Sequence, residues 1–98
     1  MEKSKPHHDL ARIKKLAQFG SVEVTVTAMQ DAQSFGFELQ DIVDVIAALS
    51  RDDFYKSMTA YHENQCWHDV YRPKAEAGQL YIKLILQDNV LVVSFKEK

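Results

Sequence analysis

Residues Gln79–Lys96 read QLYIKLILQDNVLVVSFK. Two runs rich in β-forming residues flank Asp88-Asn89, a pair suited to the positive φ values of a tight hairpin turn. A two-residue loop there pairs Gln87 with Val90, Leu86 with Leu91, Leu84 with Val93 and Ile82 with Phe95, so one face of the ribbon is apolar on both strands. The alternate positions pair Ile85 with Val92, Lys83 with Ser94 and Tyr81 with Lys96. That second face starts apolar beside the turn and becomes polar toward the open end. A slip of one residue would put Leu84 and Leu91 on opposite faces and split the apolar set, so burial selects this register. It leaves a phenol and an ammonium side by side, Tyr81 and Lys96, on the face turned away from the core. On spacing alone, such a pair is an ordinary cross-strand contact on a half-solvated sheet.

Upstream of the hairpin the pattern is first helical, then extended. His7 to Phe19 carries Leu10, Ile13, Leu16 and Ala17 at helical spacing, with Gly20 as its stop. Val22 to Val24 is a short extended piece. Thr25 or Thr27 then caps a helix to about Phe35, closed by Gly36, whose apolar positions are Ala28, Met29, Ala32 and Phe35. Leu39 to Leu49 has the clearest stripe: Leu39, Ile42, Val43, Ile46 and Leu49. Ser50 to Asp53 breaks it and suits a capped single turn. Phe54 to Tyr61 and Trp67 to Arg72 read as strands, separated by a polar loop at His62 to Gln65. A second loop runs from Arg72 to Gly78. Helices first and strands after give an α+β fold, with the helices packed on one face of a mostly antiparallel sheet.

At 98 residues the chain reads as one domain, 1–98, with a single modest core. An apolar content of 46% and a charged content of 27% place it among soluble globular proteins. The opening MEKSKPHHDL lacks the apolar segment of a secretory signal, and no apolar run approaches the length needed to span a bilayer. Cys66 stands alone, which excludes an internal disulfide and suits the cytoplasm. The net charge of −2 argues against a generic nucleic-acid binder. The acidity is local, however: residues 31–53 carry −5, against +2 before them and +1 after. Basic surface can therefore survive elsewhere, while the acids line a solvated helix face.

The residues able to carry chemistry are Lys56, His62, Cys66, His68, Asp69, Tyr71, Arg72, Tyr81, Lys83 and Lys96. His62, Cys66 and His68 have spacings that could hold a metal, but they lack a fourth ligand and a second paired motif. Two loop or edge histidines and a small buried thiol explain them as well. Cys66 and His68 share a face if they lie on one strand, yet nothing marks the thiol as activated. His7 and His8 are expected to be exposed. Phosphate-binding glycine loops, serine elbows and dinucleotide fingerprints are absent from the sequence.

Four separated runs carry a resemblance: LSRDDFYKSM (Leu49–Met58), WHDVYRP (Trp67–Pro73), GQLYIK (Gly78–Lys83) and VSFKEK (Val93–Lys98). Together, in this order, they resemble the MqsR family of bacterial type II toxins over the full length. The resemblance implies a fold like RelE-type ribonucleases and a metal-independent mRNA interferase that cuts single-stranded mRNA at GCU-type sites. It implies no cofactor, no membrane, and a partner antitoxin with a zinc-binding domain and a helix-turn-helix DNA-binding domain. The family's catalytic positions match Lys56, Tyr81 and Lys96 here. His68 stands where the family pattern has a glutamine, and the low net charge departs from the basic character expected of such toxins.

The chemistry expected of such an enzyme is attack of the RNA's own 2′-OH on the adjacent phosphate, leaving a 2′,3′-cyclic phosphate and a 5′-OH. No protein nucleophile is required. Lys56 and Lys96 would supply positive charge to the phosphorane. Arg72 and Lys83 would contact phosphate, and Tyr55 the RNA. For the base, a phenol at its reference pKa of about 10 gains from neighbouring ammonium groups. An imidazole at about 6.5 is already matched to neutral pH. The sequence leaves Tyr81 and His68 both open for that role. It also leaves open a non-catalytic protein- or RNA-binding module of the same fold, and a nuclease that depends on the ribosome.

Overall fold

Among the described residues, three short helices precede most of the sheet. The structure, a computed structural model, describes residues 1–60, 63–75 and 78–97, side chains at 60 and 63–65 excepted. Helix α1 spans Leu10–Gln18 and starts where the Asp9 carboxylate accepts the Ala11 N–H at 3.0 Å. It ends where Gly20, at φ +77°, donates its N–H to Ala17 and Ser21 donates to Leu16. This is a Schellman closure, which needs the left-handed residue that glycine supplies without strain. Helix α2 (Val26–Ser34) is capped by the Thr25 hydroxyl, and α3 spans Leu39–Ala47. A 3₁₀ turn at Arg51–Asp53 follows, with the Asp53 carboxylate accepting the Ser50 N–H.

The strands are β1 (Glu2–Lys3), β2 (Val22–Val24), β3 (Phe54–Ala60), β4 (Glu63–Tyr71), β5 (Lys74–Ala75), β6 (Gly78–Leu86) and β7 (Val90–Glu97). They form a sheet in the order β1-β3-β4-β6-β7-β2, with β5 pairing off this path onto β6. Strand β2 joins β7 in parallel, and the other pairings are antiparallel. The expected α+β architecture is therefore present, with the helices covering one face. The buried cluster there includes Ile13 and Ala17 of α1, Ala28 and Ala32 of α2, and Ile42 and Ile46 of α3. They meet Tyr71, Leu80, Ile82, Leu84, Val90, Val92 and Phe95 of the sheet. Each fully buried aliphatic side chain contributes about 1.5–3 kcal/mol of transfer free energy, so this shared face dominates the stability.

Several details differ from the sequence expectations. Strand β4 begins at Glu63, so part of the expected loop is strand; Tyr61 and His62 lie outside the described residues. The second loop carries β5, and the N-terminus adds β1. Leu39, expected on the core stripe, is 49% exposed. The hairpin holds the largest correction. Tyr81↔Lys96, Ile82↔Phe95 and Lys83↔Ser94 pair as expected, but nearer the turn the ladder shifts to Leu84↔Val92, Ile85↔Leu91 and Leu86↔Val90. The loop is thus Gln87-Asp88-Asn89, and among the described residues only glycines have positive φ. Asp88-Asn89 does not form the mirror-image turn expected of it. Val93 is the extra residue of a β-bulge, where two residues of one strand face one of the other. The shift is stabilised from outside the hairpin. Val22↔Val90 and Val24↔Val92 pair across to β2, Thr25 donates its N–H to the Val92 carbonyl, and Asn89 Nδ2 donates to the Glu23 carboxylate.

Candidate active site

The face of the sheet opposite the helices holds most of the polar candidates. Directly paired residues share a face, and one line of pairing runs Lys56↔Val70↔Lys83↔Ser94 across β3, β4, β6 and β7. Tyr81 and Lys96 face each other two residues to one side of this line. Met58 and His68 face each other two residues to the other side, with Glu2 paired to Met58.

Both catalytic-candidate lysines reach this face because of a bulge. Alternation alone would put Lys56 on the same side as Phe54, which packs against the core. A register shift between Phe54 and Lys56 makes Tyr55 the extra residue of β3, so Tyr55 and Lys56 turn consecutively to the outer face. In β7, Val90 and Val92 point into the core, and plain alternation would carry Lys96 in with them. The bulge at Val93 instead buries Phe95 and turns Lys96 outward beside Tyr81. The two irregularities are what gather a constellation that regular strands would divide.

Tyr55 is the centre of that constellation. The residue is 42% exposed. The Arg72 guanidinium lies 3.7 Å above its centroid and Lys56 Nζ 5.2 Å away. The Tyr81 ring stands edge-on at 6.4 Å, and Lys83 Nζ lies 6.0 Å from the Tyr81 centroid. Arg72 is held in place by its backbone N–H, which donates to the Asp53 carbonyl at 2.7 Å. The structure thus brings together Lys56, Tyr55, Arg72, Tyr81, Lys83 and Lys96, with four cationic side chains around two phenols. His68 occupies the same face but not the same end. From the pairing levels, roughly 13 Å of strand separates it from Tyr81.

Lys56 Nζ donates to the Glu2 carboxylate at 2.8 Å. That hydrogen bond, then the Glu2 charge and the two phenols, raises the lysine above its usual value against the opposing effect of partial burial. Glu2 is lowered by the same hydrogen bond and by the Lys56 charge. Sequence reasoning missed Glu2, and nothing local signals it, since the pair spans 54 residues.

Of the alternative chemistries, the His62 member of the suggested metal set lies outside the described residues. Cys66 is free and half-buried on β4 rather than a buried core thiol. Among the described residues no cluster of three metal-ligating side chains occurs. His7 is exposed but stacks on Trp67 at 5.4 Å, and His8 is half-buried with Nε2 2.9 Å from the Trp67 carbonyl oxygen. Both their backbone N–H groups donate to the buried Asp69 carboxylate, which also accepts from the Ser57 hydroxyl. Asp69 and Tyr71 face the helices and take no part in the outer constellation.

Residues 5–97 match the family model described as motility quorum-sensing regulator, toxin of MqsA. The chain belongs to the MqsR toxin family. An MqsR relative from Escherichia coli (strain K12), named as an mRNA interferase toxin, is 46% identical over 98 residues, spanning 100% of both chains. The constellation described above sits in a chain that aligns with that relative from end to end. Among the described residues no helix is long and apolar enough to cross a membrane.

Proposed function

We propose that this chain is an mRNA interferase, the toxin of a type II toxin–antitoxin pair. It cleaves single-stranded mRNA without a metal, by attack of the 2′-OH on its own phosphate to leave a 2′,3′-cyclic phosphate and a 5′-OH. The observation that carries this function is the gathering of Lys56, Arg72, Tyr81 and Lys96 on the open face of the sheet, around an exposed aromatic ring. Family membership and a full-length relative named for the activity support it.

Each residue has a role that follows from its chemistry. Lys56, Lys96 and Arg72 compensate the added charge of the phosphorane, the step at which preorganised cations contribute most. Arg72 can grip the phosphate bidentately, which the lysines cannot. Tyr81, between Lys96 and the Tyr55 ring, exchanges a proton with the reacting 2′-oxygen or with the leaving 5′-oxygen. Tyr55 stacks on an unpaired base, a mode suited to single-stranded RNA. Lys83 contacts an adjoining phosphate. His68 is too far along β4 from Tyr81 to share one proton transfer with it, and serves as a contact to the RNA chain. The preferred sites are of the GCU type. The partner is an antitoxin with a zinc-binding domain and a helix-turn-helix domain, and the setting is the cytoplasm.

One observation favours a second form of the same reaction. A net charge of −2 gives little general attraction to RNA, so presentation of mRNA by the ribosome would compensate for weak capture. Naked single-stranded RNA with several GCU sites, incubated in chelator, separates the two. Discrete cuts ending in 2′,3′-cyclic phosphate support the free interferase. Cuts that appear only with ribosomes support the second form, and no cuts in either condition refute the activity.

A further inference from the structure

The geometry points to Glu2 as an internal competitor for the catalytic-candidate lysine, a carboxylate that occupies Lys56 until RNA phosphate displaces it. This deepens the function proposed above and rests on Lys56 being a phosphate contact. Glu2 lies on β1, the outermost strand, and pairs with Met58 on β3. Tyr81 lies on β6, two strands inward of β3. The Glu2 carboxylate and the Tyr81 phenol therefore flank Lys56 from opposite sides. The Lys56 ammonium is held at 2.8 Å by Glu2 on the edge side while remaining within electrostatic reach of Tyr81 and Tyr55 on the other, so its charge is already matched by a carboxylate.

Two features make this contact exchangeable rather than a fixed strut. Glu2 is exposed at 57%, against 22% for Lys56, so the carboxylate can rotate into water without leaving a buried charge. The anion that would replace it carries the same charge and accepts the same hydrogen bond, as a phosphate oxygen does. The strand beneath Glu2 is separately anchored: the Met1 carbonyl accepts the Thr59 N–H, and the Met1 ammonium lies 3.3 Å from the Thr59 hydroxyl. Glu2 is thus kept at hand near Lys56 whether or not the ion pair is made. The consequence is a chain that holds its lysine neutralised in the absence of substrate and binds RNA more weakly than its cations alone would allow.

The test measures binding, so it does not depend on turnover. The probe is a short GCU-containing single-stranded RNA with 2′-deoxy sugars at the GCU sites, which block cleavage. Its Kd is measured for the wild type, Glu2→Gln, Lys56→Ala, the double variant, and Asp88→Asn as an exposed carboxylate distant from Lys56. Glu2→Gln is expected to tighten binding about two- to fivefold, the range of an exposed ion pair, and Asp88→Asn by less. In the Lys56→Ala background, Glu2→Gln should change nothing. Unchanged binding in Glu2→Gln overturns the proposal, and so does tightening that persists without Lys56, which would be a general charge effect. With cleavable RNA, Glu2→Gln should lower KM and leave kcat within twofold. A fall in kcat would make Glu2 a support that holds Lys56 in its working position, contrary to the proposal. A wild type that fails to cut would count against the enzymatic function alone, because the binding comparison stands without it.

Discussion

Replacing Asp69 with alanine should destabilise the fold more than any change on the open face. Asp69 is fully buried between the sheet and the N-terminal segment. It accepts the His7 N–H at 3.0 Å, the His8 N–H at 2.8 Å and the Ser57 hydroxyl at 2.6 Å. Hydrogen bonds to a charged acceptor contribute about 1.5–3 kcal/mol each. The full loss of three is not expected, because the segment around His7 and His8 can peel away and let its N–H groups meet water. Ser57 can turn to the His68 carbonyl, already 3.4 Å from it. A net cost of about 2–4 kcal/mol remains, a large share of the 5–15 kcal/mol typical of a domain. Urea unfolding should show the midpoint falling by at least about 1 M, with hydrogen exchange at His7 and His8 becoming fast. Asp69→Asn, which keeps one acceptor oxygen, should lie between. A change under about 1 kcal/mol with those amides still protected would refute the role of Asp69 as the anchor of the N-terminal segment.

Tyr71→Phe should leave stability unchanged or raise it slightly, measured by thermal melting. The buried hydroxyl has no hydrogen-bond partner among the described residues. Burial first, then the Asp69 charge, pushes it above the usual phenol range. For exposed His7, partial desolvation and then the Lys3 and His8 charges lower its pKa below 6.5, against the pull of Asp69. The folded state then binds fewer protons than the unfolded one, so this contribution is present above pH 6.5 and lost as pH falls through the folded value. His7→Gln should flatten the decline of stability on the acid side in pH-dependent urea titrations. His68→Gln should retain substantial cleavage with an unaltered pH–rate profile, since His68 lies far from Tyr81 along β4. A flattened profile would return it to proton transfer.

How much of this was legible in the sequence depends on which contacts decided each feature. Thr25, Gly20 and Gly36 were readable as helix limits because they act within a few residues of themselves. Helix α1, by contrast, starts at Leu10, three residues after the expected His7, because Asp9 caps it and the backbone of His7 and His8 is held by the distant Asp69. The open half of the hairpin was readable because polar Tyr81, Lys83, Ser94 and Lys96 alternate with apolar Ile82 and Phe95. Near the turn, Val90-Leu91-Val92-Val93 is apolar throughout, so alternation carries no information about which side faces inward. The choice there is made by β2, a strand from the other end of the chain. Strand β1 was invisible for a similar reason. A Glu-Lys pair has no strand signature, and its place is fixed by Thr59 and by the Asp69 anchor behind it. The Tyr81–Lys96 pair could thus be read from the sequence, while the approach of Lys56, with Tyr55 and Glu2 on either side, could not.

Single-turnover cleavage of GCU-containing naked RNA in chelator, comparing wild type with Tyr81→Phe and Lys96→Ala, is the most direct test of the proposed site. Both side chains lie on the face away from the core, so both variants should melt like the wild type. Each should cut at least about tenfold more slowly, since a positioned proton carrier or cation typically supplies that much or more. Folded variants that cleave at the wild-type rate would contradict the assignment of the open face of the sheet as the active site.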